Sequence, residues 1–230
     1  MKSKLLLFVL LPLFLTGCFA PVNLTYDSAK TLKKGQVEVQ GAYSRYSISN
    51  DSLKSALINQ NYGLSLGYGV SDRYTVKFRY EYISPTVTFQ KVFGDISDDF
   101  NAMNSLSYFE INSKLALSKD KLAISLPLGG YFYNTSGLSN STGGLGWFSF
   151  DPRLYLTFFN TSKNFDLTIS PKAHVLFGSF GGYALLGVSV GAGISSDLSK
   201  WAIRPEIGYD RYFSFGVGAS IYFDTRGGKE

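Results

Sequence analysis

The sequence predicts an all-β fold, a ten-stranded antiparallel up-and-down transmembrane β-barrel, with eight or twelve strands as alternatives. Segments in which apolar and polar residues alternate recur about ten times between Gly35 and Phe223, and the side chains of a strand point alternately to its two faces. The apolar face of these segments carries essentially no charge. The connections between the segments are alternately short and long, as in barrels with tight periplasmic turns and longer external loops.

Residues 1–17 have the features of a secretory signal. Two lysines precede the apolar run Leu5–Leu15, which is too short to cross a bilayer as a helix, because such a helix needs about 20 residues. The sequence Leu-Thr-Gly-Cys that ends at Cys18 resembles the bacterial lipobox, and this resemblance implies cleavage before Cys18 and lipidation of that cysteine. Cys18 is the only cysteine, and a buried free thiol is the alternative. Residues 18–34 are then a lipidated N-terminal linker.

The charge balance argues against a nucleic-acid partner. The formal net charge is +5, and the predicted signal accounts for two of the lysines and none of the acids. No basic run is long enough to bind nucleic acid, which an exported chain would rarely meet. No linker or change of composition divides the remaining residues, so we predict one barrel domain over residues 35–223 and a periplasmic tail at residues 224–230.

The ten strands follow in order, each with apolar residues at every second position. They are predicted at Gln36–Ser44, Tyr62–Val70, Arg73–Tyr82, Tyr108–Leu117, Leu122–Phe132, Phe148–Phe158, Phe165–Phe177, Ala184–Ser195, Trp201–Tyr209 and Phe213–Phe223. The short links are Ser71-Asp72, Lys119-Asp120, Asn160–Asn164 and Ser196–Lys200, and the long links are Ile48–Asn61, Ile83–Asn104 and Asn134–Gly146. We expect the loop Ser84–Asn104 to fold over the barrel mouth or to contact a partner.

Three prolines fall on the apolar faces of predicted strands. Pro152, Pro171 and Pro205 lie on the apolar faces of the sixth, seventh and ninth strands. Proline has no N–H group to donate to the ladder of a sheet. We therefore expect a bulge or locally broken pairing at each of them.

The distribution of charge predicts which face meets lipid. In a soluble barrel the apolar residues point inward, and so large an uncharged outer face would not suit a soluble monomer. In a membrane barrel the arrangement is reversed, and a charge at the lipid-facing midplane costs about 2–4 kcal/mol. The alternative is a secreted two-sheet sandwich or a lipocalin-like cup. The polar faces are predicted to form a charge network in the lumen, made of Glu38, Lys77, Arg79, Glu81, Glu110, Lys114, Asp151, Arg153, Lys172, His174, Arg204 and Glu206.

Two segments carry a resemblance to a known family. Residues Asp27–Val39, with the sequence DSAKTLKKGQVEV, resemble the N-terminal step into the first strand of small bacterial outer-membrane β-barrel lipoproteins. The strand end Gly218–Phe223 resembles the aromatic-ended signal that the barrel-assembly machinery recognises, although Asp224–Glu230 follow it here. The resemblance implies outer-membrane lipid and the barrel-assembly machinery as partners, and a location integral to the outer membrane, lipid-anchored, with both termini periplasmic.

The predicted role is structural or surface-interacting, with a largely plugged polar interior. Ten strands make a narrow barrel, and nearly equal numbers of opposite charges in a confined interior are expected to pair. A narrow solute channel is one alternative. An outer-membrane enzyme that uses His174, the single histidine, is the other. No nucleotide, metal or calcium-loop motif is present, so neither a cofactor nor a metal site is predicted, and the sequence names no extracellular partner.

Overall fold

A computed structural model of the protein describes residues 24–50, 55–90, 97–100, 105–133, 145–158, 164–178 and 181–225. Within these ranges the chain forms twelve β-strands: β1 (Gln36–Asn50), β2 (Ser55–Ser71), β3 (Tyr74–Gln90), β4 (Ser97–Phe100), β5 (Leu106–Ser118), β6 (Leu122–Tyr133), β7 (Leu145–Phe150), β8 (Arg153–Phe158), β9 (Phe165–Gly178), β10 (Gly181–Ile194), β11 (Trp201–Tyr209) and β12 (Phe213–Asp224). No helix in the described residues is long and apolar enough to cross a membrane.

The strands close into an antiparallel barrel. Each strand of the wall pairs with its neighbours in sequence, and β12 pairs with β1 to complete the ring. β7 and β8 occupy one position of the ring, because both pair with β6 on one side and with β9 on the other. β4 pairs only with β3 and stands outside the ring. The described strands therefore fill ten positions, which confirms the predicted ten-stranded barrel.

Burial alternates along the strands as the sequence pattern predicts. In β11 the odd-numbered residues from Trp201 to Tyr209 are exposed, and the residues between them, which include Arg204 and Glu206, are buried. The same alternation runs through β9, where Asp166 is buried beside the exposed Phe165. The large apolar side chains thus cover the outside of the barrel, and the polar side chains fill its lumen.

The first three strands are longer than predicted. β1 continues to Asn50, β2 begins at Ser55, and β3 continues to Gln90 and pairs there with β4. The predicted long link Ile48–Asn61 is therefore mostly strand, and the described part of the predicted loop Ser84–Asn104 includes a hairpin. A strand ladder is made by backbone groups, so it can continue beyond the residues whose side chains mark it in the sequence. Most of the third predicted long link lies outside the described residues.

The ladder is interrupted at Pro152, as predicted. β7 ends at Phe150 and β8 begins at Arg153. Two backbone hydrogen bonds hold the edges of this break: the amide of Asp151 donates to Pro127 O at 3.2 Å, and the amide of Ala173 donates to Pro152 O at 3.0 Å. The break leaves the neighbouring strands connected.

Each of the other two prolines interrupts pairing on one side only. Pro171 pairs with β10, but the β8–β9 ladder has a gap between the Arg153–Lys172 pair and the Leu156–Ile169 pair. Pro205 pairs with β12, while the β10–β11 ladder has a gap between Gly191–Glu206 and Ile194–Ile203. Because each antiparallel residue directs its N–H to one neighbour, a missing donor affects only that side. The expected broken pairing is confirmed at both.

One end of the barrel carries the start of β1, the end of β12 and short turns, and we call it the terminal end. Gly35 and Asp224 lie there together with the turns after β2, β5 and β10. Gly35 has a φ of 78°, which suits glycine, and its amide donates to Gly69 O at 2.7 Å. A side chain at Gly69 would meet Lys33 O at 1.9 Å, so glycine lets the incoming chain cross the rim.

Candidate functional site in the barrel lumen

The lumen contains all twelve residues of the predicted charge network. Every one of them is buried. Their partners form two sets: other side chains of the barrel wall, and residues that precede β1. Lys77 and Arg79 have partners in both sets. The two sets have different consequences for function.

The wall-to-wall pairs include two bidentate ones. Arg153 donates from Nη1 to Glu110 Oε1 at 3.1 Å and from Nη2 to Oε2 at 2.6 Å. Arg204 donates from Nη1 and Nη2 to the two carboxylate oxygens of Asp166 at 2.7 and 2.8 Å. Parallel bonds of this kind fix both partners in direction as well as distance. Arg79 also bonds to Glu81, with its Nε 2.7 Å from Oε1.

The chain before β1 runs inside the ring of strands. We call residues Leu24–Lys34 the N-terminal segment. Leu24, Tyr26 and Ala29 are almost completely buried, and they contact inward-facing side chains of strands on several sides of the barrel. This segment is the described part of the predicted linker at residues 18–34.

A buried carboxylate in the segment joins two lysines of the wall. Asp27 Oδ1 accepts from Lys114 Nζ at 2.7 Å, and Asp27 Oδ2 accepts from Lys77 Nζ at 3.3 Å. Lys77 also pairs with Glu38 at 2.7 Å. Lys114 donates further to the carbonyls of Ser28 and Lys30, at 3.2 and 2.8 Å. All of its hydrogen-bond partners in the described residues thus come from the segment.

The pKa of Asp27 reflects this contact. Burial raises the pKa of a carboxyl group, because it disfavours the charged form. The positive charges of Lys114 and Lys77, together with their hydrogen bonds, more than offset that effect and hold the pKa of Asp27 below its ordinary value. Asp27 is therefore an anion in the lumen at neutral pH. Lys30 lies in the same segment, and burial lowers its pKa.

Glu206 of β11 binds the first residues of the N-terminal segment. Its carboxylate accepts hydrogen bonds from the amide of Thr25 at 3.1 Å, from the Thr25 hydroxyl at 3.3 Å and from the amide of Tyr26. Arg79 Nη2 donates to Leu24 O at 2.7 Å, and Gln40 Nε2 donates to Tyr26 O at 2.9 Å. Backbone groups that would otherwise be unsatisfied in the barrel are thus matched by wall side chains.

Glycines of β12 make room for the segment. A side chain at Gly216 would meet the Tyr26 hydroxyl at 2.2 Å, and one at Gly218 would meet Tyr26 Cβ at 2.6 Å. The Tyr26 hydroxyl donates to Tyr43 O at 3.0 Å. The small inward face of β12 therefore has a packing role: it accommodates the tyrosine ring.

Hydroxyl groups of the wall bind the later residues of the N-terminal segment. The amide of Ala29 donates to Thr157 Oγ1, and that of Leu32 donates to Thr75 Oγ1, both at 2.9 Å. Beside Asp27 and Lys114 there remains a cavity of about 20 Å³, which is room for about one water molecule. Lumen side chains and the segment together leave little free space at this level.

His174 lies in a separate part of the lumen. Its side chain is fully buried, and Nδ1 is 3.1 Å from Asp151 Oδ1. Nε2 faces Asp210 Oδ2 at 3.8 Å, and neither atom has a hydrogen-bond partner among the residues that the structure describes. A catalytic base would need a nucleophile or a substrate proton within hydrogen-bond reach. The described surroundings of His174 offer two carboxylates and no bonded hydroxyl.

Metal binding finds no support in the part of the chain that the structure describes. No group of three or more His, Cys, Asp or Glu side chains there could hold an ion. The neighbouring acids Asp98 and Asp99 lie in β4.

The sequence did not reveal the contacts of the N-terminal segment. Residues Leu24, Tyr26 and Asp27 lie outside the alternating pattern, so strand periodicity gave them no role. One signal was available: the cross-strand neighbours of Lys114 are Thr75 and Ser125, and neither is an acid. A buried lysine without an adjacent carboxylate needs one from elsewhere in the chain.

Comparisons with known proteins are distant. No family model and no curated protein matches the sequence. The N-terminal β-barrel domain of Pseudomonas aeruginosa OprF is 11% identical over 83% of this chain and 98% of its own, with a TM-score of 0.40. The translocator domain of the autotransporter NalP from Neisseria meningitidis is 11% identical over 97% and 94%, with a TM-score of 0.42. The β-domain of the Bordetella autotransporter BrkA is 10% identical over 83% and 100%, with a TM-score of 0.49. At these values the similarity carries no argument about function.

Proposed function

We propose that this chain is an integral β-barrel lipoprotein of the bacterial outer membrane, closed by its own N-terminal segment, with a structural or surface-interacting role. One observation supports the proposal that the segment closes the lumen. Lys114 and Glu206 are buried polar side chains of the wall, and their hydrogen-bond partners in the described residues belong to the segment. A wall built to conduct solutes would leave such groups facing water, whereas this wall uses them to hold a peptide.

The outer face supports the membrane location. Leu186 is 81% exposed, Phe213 77% and Ile207 63%, and they belong to a band of exposed large apolar side chains that extends around the barrel. Burying this band in water-free hydrocarbon is favourable, whereas a soluble monomer rarely exposes so large an apolar surface. We expect the purified protein to need detergent to stay monodisperse, and a monodisperse, folded protein in plain buffer would contradict this part of the proposal.

The orientation follows from the turns. Short turns face the periplasm in outer-membrane barrels and longer connections face outward, so we assign the terminal end, with Gly35 and Asp224, to the periplasm. β12 ends there and closes the ring against β1, which suits a strand that the barrel-assembly machinery recognises. Outer-membrane lipid and that machinery are the partners we propose.

Lipidation at Cys18 is a separate part of the proposal, and Cys18 lies outside the described residues. Its support is the lipobox-like sequence. Leu24 lies six positions after Cys18, and an extended chain of that length spans at most about 20 Å, which limits how far a lipid on Cys18 could lie from the barrel. Metabolic labelling with a palmitate analogue tests it: we expect label on the wild type and none on Cys18→Ser.

Planar bilayer recording tests the closed lumen. We expect no single-channel steps from the wild type, and steps from a variant that lacks residues 24–34. A second variant, Lys114→Met with Glu206→Leu, keeps the whole chain and removes two of the groups that hold the segment, so it should conduct at least intermittently. Clear steps from the wild type would instead support the alternative of a narrow channel.

The enzyme alternative finds less support in the geometry. His174 is enclosed, and its nearest acidic neighbours are Asp151 and Asp210. An arrangement of this type suits a structural hydrogen bond. His174→Asn should leave the phenotype of a producing strain unchanged, and loss of a hydrolytic activity in that variant would revive the enzyme interpretation.

A further inference from the structure

The N-terminal segment climbs the lumen in one direction, and its contacts with β3 show the order. Counted from the terminal end, three successive inward-facing residues of β3 are Thr75, Lys77 and Arg79. Their partners in the segment are, in the same order, Leu32, Asp27 and Leu24. Followed toward its amino end, the chain therefore moves away from the terminal end with each contact.

The opposite side of the ring gives the same order. We call the end of the barrel opposite the terminal end the external mouth. Glu206, which accepts from the amide of Thr25, is followed by only three more residues of β11. Gly216, which lies against the Tyr26 hydroxyl, is three residues from the start of β12. At about 3.3 Å per residue along a strand, the external mouth on this side is at most about 10 Å beyond the first described residues of the segment.

The chain before Leu24 is long enough to reach that mouth. Cys18 is six positions before Leu24, which allows an extended span of up to about 20 Å. A return to the terminal end would need room for a second peptide beside the segment. The cavity next to Asp27 and Lys114 has a volume of about 20 Å³, which is room for about one water molecule. The geometry favours the outward route.

The external half of the lumen has an apolar wall. Its buried residues pack in one cluster: Ile83, Leu106, Tyr108, Tyr131 and Leu176. On β3 and β9 the cluster residue follows an inward-facing polar one, Glu81 or His174, on the side of the external mouth. The lumen is thus polar where the N-terminal segment binds and apolar along part of the way to the external mouth.

The residues before the segment match that apolar wall. Between Cys18 and Leu24 only Asn23 has a polar side chain, and the other residues are Phe19, Ala20, Pro21 and Val22. Removing such side chains from water against an apolar wall is favourable. The charged part of the lumen would offer them no comparable contact.

We propose that residues Phe19–Val22 pack along this apolar wall, and that Cys18 emerges at the external mouth with its lipid in the external leaflet. The inference rests on the proposed lipidation and orientation. The family resemblance implied a periplasmic amino terminus, and the path of the N-terminal segment points to the opposite side.

The order of the strands allows such a path. β1 follows the N-terminal segment directly, and its partner β12 is the last strand of the barrel. The wall can therefore assemble around the segment, and the β1–β12 ladder encloses it at the end. No lipid has to pass through a closed lumen.

Photo-crosslinking from Val22 tests the path. Val22→p-benzoylphenylalanine is produced in the full chain, cells are irradiated, and the crosslinked peptides are mapped. We expect crosslinks within the chain to the peptides that carry Leu106 or Leu176. Crosslinks to the peptides that carry Thr75 or Thr157, to lipid alone, or to no peptide of the chain would overturn the proposal.

Cysteine labelling tests the side of the membrane. Ala20→Cys in intact cells is treated with a maleimide on a polymer too large to cross the outer membrane, and we expect it to be labelled. Lys119→Cys, in the exposed turn after β5 at the terminal end, is the matched control and should be labelled only after the outer membrane is permeabilised. Labelling of Ala20→Cys only after permeabilisation would overturn the proposal. If Ala20→Cys stays unlabelled in both states, an octapeptide epitope inserted after Phe19 decides: antibody binding to intact cells supports the proposal, and binding only after permeabilisation overturns it.

Two controls separate this inference from the proposed function. Arg211→Cys is exposed in the turn between β11 and β12 at the external mouth, and it should be labelled in intact cells. If Arg211→Cys needs permeabilisation and Lys119→Cys does not, the proposed orientation fails. The wild type should stay unlabelled, and labelling of its single Cys18 would show that the proposed lipidation fails.

Discussion

At the scale of single residues, the lumen shows how a barrel pairs its inward-facing charges. Arg153 and Arg204 each have a bidentate carboxylate on the wall. Lys114 instead receives a carboxylate from the N-terminal segment. Since breaking one half of a buried pair leaves an uncompensated charge, the residues at this contact should respond differently to substitutions that keep or remove charge.

The first prediction concerns Asp27. Asp27→Asn leaves the charges of Lys77 and Lys114 without this partner, and we expect it to destabilise the folded barrel by about 3–5 kcal/mol. Asp27→Asn combined with Lys114→Met removes the stranded charge as well and should recover part of the loss. Urea unfolding in detergent micelles measures both. Equal stability of Asp27→Asn and wild type would show that the contact contributes nothing.

The second prediction concerns pH. Because the folded-state pKa of Asp27 lies below its ordinary value, the stabilisation is fully present above the unfolded pKa of about 3.9 and is lost as pH falls through the folded pKa. The difference in unfolding free energy between wild type and Asp27→Asn should therefore stay constant from pH 8 to pH 5. It should shrink below about pH 4, which unfolding curves across that range can measure.

At the scale of elements, the sequence predicted most of the wall. Alternation located all ten wall positions, because apolar side chains outside and polar side chains inside impose a period of two on every strand. The prolines also behaved as predicted, since a missing donor affects one ladder and leaves the other. The outer limits of β1, β2 and β3 were missed, because backbone pairing continues there beyond the segments that the alternating pattern marked.

The position of the N-terminal segment could not be predicted from the alternating pattern. It has no regular secondary structure, and its place in the lumen depends on side chains from strands distant in sequence, such as Glu206 and Thr157. Gly216 and Gly218 give β12 a small inward face, and only the structure shows that Tyr26 occupies the space they leave. Periodicity describes a wall; it contains no information about what the wall encloses.

The third prediction tests the fit between β12 and the segment. Gly218→Val places a branched side chain where Tyr26 Cβ lies 2.6 Å from the position of the new Cβ. We expect the segment to leave the lumen while the wall stays closed, because the β12 backbone pairs are unaffected. Limited proteolysis should then cut within residues 24–34 in Gly218→Val. Gly41→Val, at an open outward position, should remain resistant, and equal resistance of both variants would contradict the packing role.

At the scale of the whole molecule, two features differ in how they close the barrel. The ladder between β1 and β12 closes the ring through eleven residue pairs. The N-terminal segment closes the lumen through side-chain contacts to several strands. The first is a condition for a barrel to exist in lipid at all, since an open sheet edge leaves backbone groups unsatisfied in hydrocarbon. We expect that the contacts of the N-terminal segment can be lost without opening the wall.

The last prediction separates the closing strand from the tail that follows it. Deleting residues 226–230 leaves every pair from Gln36–Asp224 to Tyr46–Ser214 in place, so this variant should assemble like wild type. Deleting residues 219–230 removes six of those pairs, and the exposed edge of β1 would then face hydrocarbon. Heat-modifiable migration of the membrane fraction on gels reports assembly: we expect it for the shorter deletion and its loss for the longer one. Normal assembly of the longer deletion would mean that the ring closes without the β1–β12 ladder.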